Sequence, residues 1–226
     1  MSSDLKKTTS DKAINRLGEL YKQHGVDEKS LGWTKHKQDR RFRQMFERLD
    51  ISGKNILDIG CGFGDLLDYL QRENPDSSFG YSGVDLMKDI IEVAQTKHPG
   101  FEFAATDFFD YEADRKYDFI VNCGCFTFLD PKDEKSSYGY IDNFLTKALD
   151  LCTEDGVCIF HFLTDKVDYR SNEDDFFISP EKILSIAYSH SRRVVLDNSV
   201  FPFEACLFVY KDDSFAVENS TFIKAV

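Results

Sequence analysis

The chain has 226 residues, 42% of them apolar and 30% charged, which suits one soluble globular domain or one domain with an appendage. No apolar run approaches the roughly 20 residues that a membrane span needs. Acids number 40 and bases 28, for a formal net charge of -12, which argues against nucleic acid or an anionic membrane as partner, because phosphate attraction needs clustered bases.

In chain order, the first eleven residues are polar and of mixed charge, without the apolar stretch of a secretory leader, so a cytoplasmic location is expected. Residues 1–30 read as polar with weak helical character. Residues 35–49 carry Phe42, Met45, Phe46 and Leu49 at spacings of three and four, which predicts an amphipathic helix with a basic outer face. From Asn55 the pattern changes to short apolar runs alternating with helical segments. Strands are predicted at 55–59, 79–84, 101–104, 117–121 and 156–162, with helices at 65–72, 88–96 and about 138–151. Ser179-Pro180-Glu181 opens a further helix, with Ser as N-cap and Pro in the first turn.

This alternation predicts an α/β fold, a doubly wound and mostly parallel sheet with helices on both faces. Two last strands, 193–196 and 205–210, are too close for a helical crossover and should pair antiparallel, ending the sheet in a hairpin. The division expected is an N-terminal helical cap, residues 1–50, followed by the sheet domain, residues 51–226.

Phenylalanine is abundant, 21 residues against 1 Trp and 3 Met, so aromatic mass should build the core and any organic pocket. The six cysteines lack the spacing of a disulfide framework. Cys61 sits in a glycine-rich loop. Cys123, Cys125, Cys152, Cys158 and Cys206 lie in or beside apolar runs and read as small buried hydrophobes. Cys123-Gly124-Cys125 has no second pair at zinc-like spacing, and Asp168 with the run Glu173-Asp174-Asp175 reads as solvated acid, so no metal is expected.

The sharpest feature is Asn55-Ile56-Leu57-Asp58-Ile59-Gly60-Cys61-Gly62-Phe63-Gly64, an apolar strand running into a glycine loop ahead of a helix. Glycines let the backbone turn tightly and approach a ligand closely. Asp85 closes the next strand, 25 residues after Gly60, where an acid can accept from both ribose hydroxyls of a nucleoside. Thr106-Asp107-Phe108 follows the third strand, where an acid can bind an adenine amino group while an aromatic packs on the ring. Asn122 ends the fourth strand, facing the same crevice. All four anchors fall at C-terminal strand ends, where open α/β sheets bind ligands. The spacing is Gly-x-Gly-x-Gly, not the Gly-x-Gly-x-x-Gly of a pyrophosphate cradle, and Asp58 just upstream would repel a diphosphate but suit an ammonium group.

On Leu57-Asp58-Ile59-Gly60-Cys61-Gly62-Phe63-Gly64, Gly83-Val84-Asp85 and Thr106-Asp107-Phe108, the chain from about Lys54 to Lys211 resembles the class I S-adenosylmethionine-dependent methyltransferases. The terminal hairpin resembles that family's antiparallel seventh strand, inserted between strands five and six of a Rossmann-like sheet. Gly32-Trp33, Gln38, Arg41-Phe42, Gly62-Phe63-Gly64-Asp65, His161-Phe162-Leu163-Thr164, Val167-Asp168-Tyr169 and the run from Glu204 to Tyr210 are similar to a bacterial subgroup of small methyltransferases. The resemblance implies S-adenosyl-L-methionine as cofactor and S-adenosyl-L-homocysteine as product. It implies Gly60 and Gly62 close to the methionine part, Asp58 near its amino group, Asp85 on the ribose, and Asp107 with Phe108 on the adenine. Cys61, Leu86 and Asn122 complete the expected cofactor set.

A sulfonium methyl is already activated, so the protein must chiefly orient the acceptor and exclude water. A general base is needed only where the acceptor is protonated or weakly nucleophilic. His161, near the end of the fifth strand, is the first candidate base, and His36, beside Trp33 in the cap, is the second. Trp33, Arg40, Arg41, Tyr138, Tyr140 and Tyr169 are candidates to line the acceptor site. Residues 1–50 carry 12 bases and 8 acids, and residues 51–226 carry 16 bases and 32 acids. The basic cap leaves room for a small anionic acceptor such as a carboxylate. The activity expected is methyl transfer to an oxygen or nitrogen of a small organic molecule. The alternatives are an NAD-dependent oxidoreductase, a non-catalytic nucleoside-binding protein, and a protein methyltransferase with an exposed acidic groove.

Overall fold

A computed structural model of the chain describes residues 3–32, 38–170 and 172–212. Seven strands form one sheet: β1 (Asn55–Ile59), β2 (Gly80–Asp85), β3 (Glu102–Ala105), β4 (Tyr117–Cys123), β5 (Cys152–Leu163), β6 (Val194–Asp197) and β7 (Glu204–Tyr210). Their order is β3-β2-β1-β4-β5-β7-β6. All pairings are parallel except those of β7 with β5 and β6. The chain winds outward from β1 through β2 to β3, then returns to start β4 on the other side of β1. That reversal splays the connections apart and leaves a crevice at the C-terminal strand ends.

The described residues also form α1 (Ser3–His24), α2 (Gln38–Phe46), α3 (Asp65–Glu73), α4 (Lys88–Lys97), α5 (Glu134–Leu151) and α6 (Pro180–His190). Successive strand residues point to opposite faces, so Phe119 and Val121 pack with α2 and α3, while Ile120 packs with α5 and α6. One face holds a phenylalanine cluster in which the rings of Phe108 and Phe144 are 4.5 Å apart and those of Phe126 and Phe160 are 5.7 Å apart. On the other, Phe42 and Phe46 of α2 lie against Tyr69 and Phe119, at 5.7 Å and 6.2 Å.

Several sequence expectations shift. The weakly helical first 30 residues hold a 22-residue helix, α1. It buries only a narrow strip, including Thr9 and Ala13, so its sequence carries little periodic signal. The helix expected over residues 35–49 is described from Gln38 to Phe46, and its basic face is not wholly solvated, since Arg41 is buried. α5 begins at Glu134, capped by Asp133, whose side chain accepts from the Ser136 N–H at 3.1 Å. β5 begins at Cys152, with a register break against β4 between Tyr117 and Phe119. Ser179 caps α6 as expected.

Phe160 is fully buried at the centre of the phenylalanine cluster and lines neither cleft described below. Phe160→Ala should cost about 3–5 kcal/mol. In thermal denaturation followed by circular dichroism, this should lower Tm by roughly 6–20 °C. A change of less than about 3 °C would contradict this packing.

Candidate active site

The loop between β1 and α3 is shaped by what its glycines lack. Gly60 has φ 77°, and a Cβ there would strike Cys125 Sγ. Gly62 has φ 54°, and a Cβ would lie 2.6 Å from Leu31 Cδ1. Side chains at either position would be strained and crowded at once. The loop is tied to the next strand, as the Gly60 N–H donates to Val84 O at 2.7 Å. The Gly62 N–H donates to Asp85 Oδ2 at 3.1 Å, and the Met87 N–H to Asp85 Oδ1 at 3.0 Å.

Three carboxylates stand at the ends of adjacent strands. Asp58 is buried and accepts from the Tyr81 hydroxyl at 2.6 Å. Burial pushes its carboxyl up to about 7, the nearby Asp85 and Asp65 charges add to this, and the Tyr81 bond opposes it. Burial also raises Asp85, against the backbone N–H bonds that favour its charged form. Asp107, just past β3, accepts from the Phe109 N–H at 2.8 Å and from Ser10 Oγ of α1 at 2.7 Å.

Two adjoining clefts run along these strand ends, about 240 Å³ and 80 Å³. Leu17, Gly60, Asp85, Cys125 and Phe128 line both. The smaller has apolar walls from Leu86, Met87, Phe108, Tyr140 and Phe144, with Asp107 among them. The larger is lined by Asp58, Cys61, Asp65, Thr127, His161 and Glu204, among others. α1 contributes Thr9, Ser10, Ala13 and Ile14 to the smaller cleft and Arg16 and Leu20 to the larger. Its fixings are largely polar: Lys6 to Asp110 at 2.5 Å, Lys12 Nζ to Leu129 O at 3.0 Å, and Arg16 to Asp175.

A buried charged cluster lies at the far side of the larger cleft. Arg41 of α2 meets Glu204 of β7 through two bonds, Nε to Oε2 at 2.7 Å and Nη2 to Oε1. His161 of β5 places Nε2 3.2 Å from Glu204 Oε2. His161 and Glu204 are each 2% exposed. Burial lowers the His161 pKa, partly opposed by Glu204. Burial would raise Glu204, but the adjacent His161 ring and the bonds to Arg41 hold it below the ordinary carboxylate range.

Of the expected cofactor set, Asp58, Gly60, Cys61 and Asp85 line the larger cleft, and Leu86, Asp107 and Phe108 the smaller. Gly62 lines neither and meets the site through its N–H to Asp85. Asn122 also lines neither, since its Nδ2 turns inward and donates to Ile59 O at 3.3 Å. Tyr140 joins the smaller cleft. Tyr138 instead packs on Phe176, its hydroxyl accepting from the Ser179 N–H at 2.8 Å. Tyr169 is 80% exposed and lines neither cleft. Arg40 is exposed and stacks on Phe201, 4.7 Å from its centroid. Arg41 lines the larger cleft, but with its charge matched by Glu204, so the two arginines do not form a paired anion clamp. Trp33 and His36 lie outside the described residues.

Sequence reasoning missed Glu204, Asp175, Thr127, Phe128 and Cys125. Asp175 is buried against Arg16, not solvated. Cys125 is placed at Gly60 by the tight turn after β4, a position its apolar surroundings in sequence did not signal. Among the described residues, no group of three His, Cys, Asp or Glu could hold a metal ion, and no helix is long and apolar enough to cross a membrane.

The smaller cleft offers apolar walls and the Asp107 carboxylate, and Asp85 and Asp58 offer acceptors for hydroxyls or a cation. A diphosphate against those two acids does not fit. Residues 56–147 match the family model of a methyltransferase domain. Those residues carry a methyltransferase domain. A fatty-acid O-methyltransferase of Mycolicibacterium smegmatis is 27% identical over 139 residues, 60% of this chain and 47% of that protein. Across several other curated relatives the chain covers 30% to 60% of their own length. Among solved structures, the plantazolicin methyltransferase BpumL, in complex with a triazolic desmethylPZN analog and SAH, superposes with a TM-score of 0.63 at 14% identity, covering 94% of this chain and 100% of that one. An S-adenosylmethionine-dependent methyltransferase of Leishmania major gives 0.68 at 15% identity, covering 93% and 87%. At these identities the structural likeness concerns the methyltransferase fold, which includes the strand order and the antiparallel β7.

Asp58 generates a test within this methyltransferase domain. An ordinary aspartate titrates near 4, so between about 4 and 7 the folded chain holds a proton that the unfolded chain has lost. The ligand-free protein should therefore lose stability as pH rises through that window, by about 1.4 kcal/mol per pH unit from this carboxyl. Asp58→Asn removes the charge and can still accept from Tyr81. Its Tm advantage over wild type should grow from pH 5.5 to pH 8, and a difference independent of pH would contradict the buried, raised carboxyl.

Proposed function

We propose that the protein transfers a methyl group from S-adenosylmethionine to an oxygen or nitrogen of a small organic acceptor. The observation that carries this is a pair of adjoining clefts that share Gly60, Asp85 and Cys125 as walls. The smaller is apolar and carries Asp107, and the larger carries the buried His161. In this reading Asp107 and Phe108 receive the adenine, Asp85 accepts from the ribose hydroxyls, and Asp58 faces the ammonium group. When bound, S-adenosylmethionine supplies a methyl on a positively charged sulfur, an electrophile that needs no further activation.

The chain's own work is orientation, exclusion of water and proton removal. α1 and Phe128 cover the crevice, and holding two reactants in line can lower a barrier by roughly 7–11 kcal/mol in favourable cases. His161, its pKa lowered by burial, is the general base, a role that contributes about 10²–10⁴-fold. A base of this kind suits an acceptor that must lose a proton, such as a hydroxyl or an amine. The names of two relatives support oxygen: the fatty-acid O-methyltransferase and the malonyl-[acyl-carrier protein] O-methyltransferase of Acetivibrio thermocellus. The phosphoethanolamine N-methyltransferase of Haemonchus contortus, similar in fold, supports nitrogen.

Titration calorimetry tests the cofactor assignment. S-adenosylhomocysteine should bind and NAD should not, and the reverse would overturn the reading. Asp85→Ala removes acceptors worth roughly 1.5–3 kcal/mol per bond to a charged group, so affinity for S-adenosylhomocysteine should fall at least about tenfold. Unchanged affinity would refute the ribose role of Asp85.

A further inference from the structure

Glu204 sits between two positive or potentially positive groups. Arg41 engages both of its oxygens, and His161 Nε2 approaches Oε2 at 3.2 Å. The three come from α2, β7 and β5, elements far apart in sequence. In register beside His161 stand Cys123 on β4 and Cys206 on β7. Burial raises both thiols, so they are neutral neighbours. Among the described residues, the charges facing the imidazole are therefore those of Glu204 and Arg41.

We infer that the Arg41–Glu204 pair is a positioning device for His161: Glu204 keeps the ring proton on Nε2, and Arg41 takes up the Glu204 charge, so that the ring stays neutral with Nδ1 as the proton acceptor. This rests on the reading of His161 as base. Two physical effects compete at the ring. A bare carboxylate beside a buried imidazole would pull a proton onto it, and a charged imidazolium cannot act as base. A guanidinium locked to that carboxylate by two bonds cancels most of the pull, because its geometry matches both oxygens. Burial then decides in favour of the neutral ring. When the acceptor is methylated, it gains CH₃⁺ and gives up H⁺ to Nδ1. The imidazolium so formed lies beside Glu204, which stabilises it, as the acid does in a serine–histidine–aspartate triad.

Nitrogen-15 NMR of histidine-labelled protein tests this without any acceptor, with His161→Gln assigning the signal among the five histidines. The wild-type ring at pH 7 should be neutral and protonated on Nε2. An imidazolium, or a ring protonated on Nδ1, overturns the inference. Arg41→Met should raise the His161 midpoint by about one pH unit or more. Arg41→Lys should restore most of the difference, and the double variant Arg41→Met with Glu204→Gln should show no rise. A folded Arg41→Met protein with an unchanged midpoint overturns the inference, as does a raised midpoint in the double variant. Should Arg41→Met fail to fold, the wild-type tautomer and the double variant decide. Calorimetry with S-adenosylhomocysteine on the same wild-type sample separates the two readings, since loss of that binding strikes the methyltransferase assignment while the NMR result stands on its own.

Discussion

Two carboxylates buried at the ends of neighbouring parallel strands set the terms for the rest of the site. Moving an ion out of water costs several kcal/mol even after relaxation, unless it is paired or well hydrogen-bonded. Asp85 meets part of that cost by accepting the Gly62 and Met87 N–H groups, which also fixes the path of the glycine loop. Among the described residues Asp58 has one side-chain donor, Tyr81, and it stays partly protonated near neutral pH. Both acids line the same cleft. Hydroxyls and a cation are the ligands that such a pair favours. The loop geometry and the ligand chemistry thus follow from one electrostatic problem.

The same logic extends along the crevice. Its narrow end is apolar because β2, the segment after β3 and α5 bring aliphatic and aromatic side chains there, while Asp107 supplies the polar contact. Its wide end holds a second set of buried charges, matched internally as Arg41 with Glu204 and Arg16 with Asp175. Arg16 is partly exposed, so its pair is worth less than the fully buried one, where removing one partner would leave a stranded charge. α1 closes the top with polar fixings and few buried apolar residues, whereas α2 is anchored by Phe42, Met45 and Phe46 in the core. The two N-terminal helices are therefore held to the sheet by different physics, and α2 carries Arg41 to the site on a firm base.

The parts legible in the sequence were those governed by short-range rules. Strand periodicity, the glycine loop and an acid at each strand end are local patterns, and they located β1, β2, α3 and the three carboxylates within a residue or two. The closeness of the last two runs fixed the antiparallel hairpin, because no helix fits between them. α1 was faint because a helix that rests one thin strip on a crevice has little amphipathic signal.

What the tertiary structure decided was direction and partnership. Tyr138, Tyr140 and Tyr169 looked alike as aromatic residues near strand ends. Only Tyr140 enters a cleft, because helical phase and loop path set where each ring points. Asn122 reads as a ligand contact, yet its amide holds the end of β1. Arg41 and Glu204 are 163 residues apart, and no local rule links them. The sequence by itself determined the sheet, the acids at its strand ends and the methyltransferase domain of residues 56–147. Tertiary packing alone determined which charges neutralise one another around His161, because that depends on distances across the sheet that sequence separation does not encode.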